Sequence, residues 1–174
     1  METNFEIHAL PHPDPRVRRV GFDPSHPYVE QCWGAVIGPS SVAILRRAST
    51  LWSEQEPARI PVHDLGRSLG LAASGEGSRF HKAVDRLVRF NFGVWLDRGS
   101  AVAIYTEVPP LGHHRLDQVP DWTRAAHERL LGVHLDRIAA VTERGPQVAD
   151  ITARLDRLER PRQRDVPPGA ALGR

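Results

Sequence analysis

The chain has 174 residues, enough for one domain of about 100–150 residues with flanking segments. Hydrophobic residues make up 40% and charged residues 25%, and the formal net charge of +2 is so small that any electrostatic argument must rest on where the charges lie. The single cysteine, Cys32, excludes an internal disulfide and a multi-cysteine metal site. Because no signal peptide or membrane-spanning run is recognisable either, we expect a cytoplasmic protein without a membrane partner.

Residues 1–39 contain six prolines, from Pro11 to Pro39. Proline removes a backbone donor and restricts the residue before it, so this density disfavours a long helix. Apolar residues such as Phe22 are nevertheless too frequent for a fully solvated tail. We therefore expect an extended arm that packs partly onto the domain, with a short helix at 27–34.

Two helices are predicted next. The first follows Gly38, with Ser40 or Ser41 as its cap, and carries an apolar stripe at helical spacing up to 54–57. The second covers residues 61–69 and begins with a proline, which is favourable in a first helical turn. The glycine-rich segment AASGEG that follows is typical of a loop.

A third helix is predicted from Ser78, a good N-cap, to near Asn91. Its apolar residues are spaced so that they share one face, and they are Phe80, Val84, Leu87 and Val88. The hydrophobic period then changes to two, first over residues 92–97 and again over 101–108, with a glycine-containing turn between them. This pattern predicts a β-hairpin, so the fold class is mainly α with a small hairpin, an α+β protein.

Further helices are predicted over residues 111–160. A long one begins at Asp121, and Gly145-Pro146 is expected to interrupt it. The segment after this break has coiled-coil-like spacing at Val148, Ile151, Leu155 and Leu158. Such a narrow stripe either covers its own domain or pairs with a second copy in a homodimer. The tail 161–174 has the composition of a disordered segment.

The order of elements over residues 40–110 resembles the winged helix-turn-helix superfamily. The resemblance is carried by the helix and turn VHDLGRSLGL, the basic helix SRFHKAVDRLVRF and the hairpin FGVWLDRGSAVAIYTEV. It implies a sequence-specific double-stranded DNA-binding protein, most simply a transcriptional regulator, with the basic helix reading the duplex and the hairpin as the wing. The connection between Leu71 and Ser78 is longer than the tight turn of the simplest helix-turn-helix proteins.

The candidate DNA-binding residues lie on the side of the basic helix opposite its apolar face and at the tip of the hairpin. Arginine and lysine on a helix in the major groove can reach guanine acceptors and nearby phosphates. Asp85 lies within the same face and would repel phosphates. The candidates are Ser78, Arg79, His81, Lys82, Arg86, Arg89 and Arg98.

Other chemistry finds little support in the sequence. His127-Glu128 begins like a metalloprotease signature, but the position for the second histidine is Leu131. The loop glycines do not have the spacing of a phosphate-binding loop, and Cys32 is expected to be a buried apolar residue. We therefore predict no enzyme, no metal and no cofactor. The alternatives to a regulator are a winged-helix scaffold or interaction subunit without DNA affinity, and a plasmid or phage replication or partition factor.

Overall fold

The structure is a computed structural model that describes residues 4–73, 75 and 77–159, with residues 144–159 described by their backbone alone. The chain forms two compact units, Met1–Leu135 and Asp136–Arg174. The predicted tail 161–174 lies outside the described residues.

The first unit combines helices with a small four-stranded sheet, so the expected α+β class is confirmed. In chain order the elements are β1 (Asn4–Leu10), α1 (Pro15–Val20), a π-helical segment (Val29–Trp33), α2 (Gly34–Glu54), β2 (Ala58–Pro61), α3 (Val62–Ser68), α4 (Arg79–Arg89), β3 (Gly93–Asp97), β4 (Ala101–Tyr105), α5 (His113–Leu116) and α6 (Asp121–Glu159).

The segment expected as a partly packed arm instead supplies an inner strand of the sheet. The strand order is β2-β1-β4-β3, with β1 antiparallel to β2 and parallel to β4. The first proline is Pro11, so residues 4–10 are free to pair on both edges. Phe5 and Ile7 point into the core, and Glu6 between them does not.

Helix α2 begins earlier than predicted and is broken near its start. Gly38 has φ 79° and ψ 164°, which is not helical, and Pro39 begins the second part. This backbone conformation favours glycine. Ser41, a predicted cap, is buried, and its hydroxyl donates to the carbonyl oxygen of Ala83 on α4 at 3.0 Å. The bond therefore ties α2 directly to α4.

The connection between α3 and α4 is closely packed. Gly70, with φ 67°, follows the end of α3 and allows the chain to turn back. The amide of Leu71 donates to the carbonyl of Gly66 at 2.8 Å, and the amide of Phe80 donates to the carbonyl of Ala72 at 3.1 Å. A Cβ at position 66 would lie only 2.4 Å from the Cβ of Ala73. The lengthened link is thus held against both helices.

Helix α4 and the hairpin agree with the prediction. The Ser78 hydroxyl caps α4 by accepting from the amide of His81, and Phe80, Val84 and Leu87 are fully buried. Asn91, with φ 61°, turns the chain into β3. Strands β3 and β4 pair antiparallel, with an irregularity between Trp95 and Asp97.

A buried polar group joins α6 to the first half of the chain. The Leu111 amide donates to the Tyr28 hydroxyl at 2.9 Å, and the same hydroxyl is hydrogen-bonded to Nδ1 of His127, 2.6 Å away. Burial raises the pKa of Tyr28 and lowers that of His127. Burial also raises the pKa of the Cys32 thiol to about 11, which agrees with the expected buried, apolar cysteine.

The expected interruption of the long helix at Gly145-Pro146 is wrong. Helix α6 runs from Asp121 to Glu159 without a break at these residues. An interior proline removes its own hydrogen bond to the preceding turn and crowds the carbonyl four residues earlier, so the helical backbone here is kept against a local energetic cost.

Candidate nucleic-acid interface

One face of α4 presents a row of cations. Arg79, Lys82, Arg86 and Arg89 are separated by three, four and three positions, and all four are exposed. This spacing places them on one side of the helix, opposite the buried face. None of the four is ion-paired with an acidic side chain of the described residues. The row therefore carries four positive charges without a direct ion pair among the described residues.

His81 is a candidate DNA-binding residue expected on the wet side or a flank of α4, but the structure buries it. The imidazole is only 7% exposed, and its Nε2 donates to the carbonyl oxygen of Gly99 in the hairpin turn at 3.2 Å. Its Nδ1 lies 2.9 Å from the hydroxyl of Ser78, which is itself half-buried at the helix cap. Residue 81 lies at the border between the two faces of α4, so the position of the hairpin decides whether it is covered. Neither Ser78 nor His81 belongs to the exposed row.

Asp85 is engaged by the hairpin. The indole N–H of Trp95 donates to its Oδ1 at 3.0 Å, and the guanidinium of Arg98 lies 3.9 Å from the same oxygen. The carboxylate that was expected to repel phosphates is thus partly balanced within the protein. Together with the bond from His81 to Gly99, these contacts join the hairpin to α4 at two separate points.

Arg98 is strongly exposed in the hairpin turn, and its guanidinium faces Asp85. Between the turn and α4 lies a small polar cavity of about 180 Å³, lined by Gly77, His81, Asp85, Trp95, Arg98 and Gly99. Arg98 therefore lies beside the α4 face and does not extend away from it.

A groove of about 280 Å³ runs between the break in α2 and the cationic row, and we call it the kink groove. Its α4 side is formed by Arg79, Lys82 and Arg86, and its α2 side includes Gly38 and Ser40. The sequence prediction did not associate these α2 residues with the basic helix. The signal was present in the Gly-Pro-Ser-Ser sequence, which indicates a helix break, but which helix the break faces depends on tertiary packing.

The predicted dimerisation residues are placed only in part. Val148, Ile151, Leu155 and Leu158 lie in the helical part of α6, and their side chains are outside the described portion of the chain. Val141, on the same helix, is 64% exposed.

No group of three or more histidine, cysteine, aspartate or glutamate side chains within the described ranges is arranged to hold a metal ion. Among the same residues, none of the helices is both long enough and apolar enough to cross a membrane. The chain matches no protein-family model, no curated protein and no solved structure.

Proposed function

We propose that the protein binds double-stranded DNA as a winged helix-turn-helix protein, with α4 in the major groove and the hairpin β3–β4 beside it, and that it acts as a transcriptional regulator. The order α2, α3, glycine-containing link, α4 and hairpin agrees with this reading. Strand β1, which lies between β2 and β4, is an addition to that order.

The observation that carries the proposal is the row Arg79, Lys82, Arg86 and Arg89 on α4. Four exposed cations on one helical face, without acidic partners in the described part of the chain, fit the phosphates and guanine edges of a duplex. The apolar face of α4 fixes the direction of this row. The two hydrogen bonds from the hairpin hold Asp85 and the wing in place, so the surface is organised before DNA arrives.

Homodimerisation through α6 is part of the same proposal. Because α6 is continuous, Val141, Val148 and Leu155 recur at heptad spacing, and Ile151 and Leu158 occupy the second position of the same seam. The exposure of Val141 supports a partner for this seam.

Charges beside the seam are compatible with two parallel copies. Arg154 and Glu159 fall at the two flanking heptad positions that pair between parallel helices. A dimer of this kind would present two α4 helices to a two-fold DNA site.

The proposal is tested by titrating the protein against a pool of random duplexes at low and moderate salt. We expect binding that weakens steeply with salt and enriches a motif. The variant with Arg79, Lys82 and Arg86 all replaced by glutamine should lose this binding. Replacing a base-reading residue costs about 1–3 kcal/mol and relaxes preference at one position, whereas losing a phosphate contact weakens all sequences alike.

A control variant carries glutamine in place of Arg16, Arg19 and Arg47, three exposed cations on α1 and α2. Its net charge equals that of the α4 triple variant. It should bind as the unaltered protein does. Failure of the unaltered protein to retain any duplex at low salt would contradict the proposal and favour an interaction module without DNA affinity.

A further inference from the structure

The α2 side of the kink groove is shaped by Gly38. Its positive φ breaks the helix, and Pro39 and Ser40 then form the wall. A Cβ at position 38 would come within 3.5 Å of Nη1 of Arg86. This is an ordinary van der Waals distance, so the guanidinium of Arg86 lies beside the kink, and it is the positive φ of residue 38 that favours glycine there.

The α4 side of the groove is strongly cationic. Arg79, Lys82 and Arg86 all line it, and no acidic residue of the described chain does so. Like charges in one groove destabilise each other, and an anion placed among them removes this repulsion. Arginine in particular binds phosphate oxygens through paired N–H donors. The groove therefore matches a small anion with several oxygen acceptors.

The two sides of the groove are held at a fixed separation. The buried bond from the Ser41 hydroxyl to the Ala83 carbonyl joins them directly below the groove. The volume of about 280 Å³ lies slightly below the roughly 300–1,000 Å³ of pockets that enclose drug-sized ligands. A single phosphate group suits this space better than a larger molecule.

We propose that the kink groove is a binding site for one phosphate group, held by Arg79, Lys82 and Arg86 against the Gly38–Ser40 wall. In terms of the proposed function, on which this deeper assignment rests, the group is a backbone phosphate of the bound duplex. The N-terminal part of α2 then contributes to DNA binding as a phosphate clamp beside the reading helix, a role that the helix-turn-helix resemblance did not assign.

The sharpest test changes the wall and leaves the cations intact. Ser40→Glu places a carboxylate at the groove, where it would occupy the phosphate position, and acidic residues are tolerated at the start of a helix. Ser53→Glu is the matched control because it adds the same charge to an exposed position at the opposite end of α2. Circular dichroism should show both variants folded.

With a duplex as the probe, Ser40→Glu should weaken binding about tenfold or more, the loss expected for a charge-assisted contact. The loss of affinity should be equal for all duplex sequences. The slope of log affinity against log salt is negative, and its magnitude should decrease by about 0.9, so that binding depends less steeply on salt. Ser53→Glu should leave both quantities close to those of the unaltered protein. Equal behaviour of the two variants toward duplex would overturn the clamp and leave the proposed DNA binding intact.

A second titration uses inorganic phosphate alone and follows the backbone amide resonances of residues 38–41 by NMR. Saturable shifts in the unaltered protein and in Ser53→Glu, but not in Ser40→Glu, would support the phosphate site. If these shifts occur while no duplex binds, the site takes free phosphate and the proposed DNA function fails separately. Absence of saturable shifts together with unchanged duplex binding in Ser40→Glu would overturn the assignment.

Discussion

Replacing Tyr28 by phenylalanine removes one buried hydroxyl while keeping the ring that stacks on Phe22 at 3.9 Å. Besides the Cys32 thiol, the hydroxyl has two partners on other segments, the amide of Leu111 and Nδ1 of His127, and the phenylalanine ring can replace neither. Because Tyr28 is completely buried, water does not take the place of the lost group without opening the core.

The size of the effect follows from these two partners. An unsatisfied buried amide costs roughly 1–3 kcal/mol, and the lost bond to the imidazole adds about 1 kcal/mol. We therefore expect Tyr28→Phe to lower the free energy of unfolding by about 2–4 kcal/mol. Urea denaturation followed by far-UV circular dichroism measures this difference directly.

Tyr105→Phe is the control for this measurement. Tyr105 is also buried, but its hydroxyl makes no hydrogen bond to another of the described residues, so its loss should change stability by less than about 0.5 kcal/mol. If the two variants are destabilised equally, the bridge between the N-terminal half and α6 contributes nothing and the reasoning is refuted.

Three further results are expected. Because burial lowers the pKa of His127, the contribution of this residue to stability is complete above the ordinary histidine pKa of about 6.5 and declines as the pH falls below it. The urea midpoint should therefore be lower at about pH 5.5 than at about pH 7.5, and the change in midpoint between these two pH values should be smaller in His127→Gln. Gly66→Ala should destabilise the fold in the same assay, because its Cβ would overlap Ala73. Gly132 lies on an exposed turn of α6, where an added Cβ would meet no other atom within 4 Å, so Gly132→Ala should stabilise the fold by about 0.5–1 kcal/mol. A chain ending at Glu143 should remain folded but monomeric by light scattering, while the full chain is a dimer; a full chain that is monomeric at tens of micromolar would contradict the α6 seam.

The parts of the fold that were predictable are those set by local patterns. The capping residue Ser78 and the spacing of Phe80, Val84 and Leu87 determine where α4 begins and which face it buries. The change to an alternating pattern determines the hairpin in the same way. These signals predicted the exposed row on α4, because an apolar face fixes the opposite face of the same helix.

The parts that were not predictable depend on contacts between distant segments. Nothing local to β1 indicates that it pairs with β4, since an alternating heptapeptide fits a free edge equally well. His81 lies at the edge of its helical face, and only the hairpin turn that contacts it decides its burial. The kink groove was missed for the same reason, because it joins residues of α2 and α4 that are far apart in sequence.

The inner position of β1 has a consequence for the synthesis of the protein. Glu6 pairs with Ala101, so the first strand leaves the ribosome long before the strand beside which it finally lies. At about 5–20 residues per second this interval is roughly 5–20 s, during which β1 cannot pair with β4. Until β4 emerges, Phe5 and Ile7 therefore lack the cover that this pairing brings, and only the earlier segments α2 and β2 are there to pack against β1.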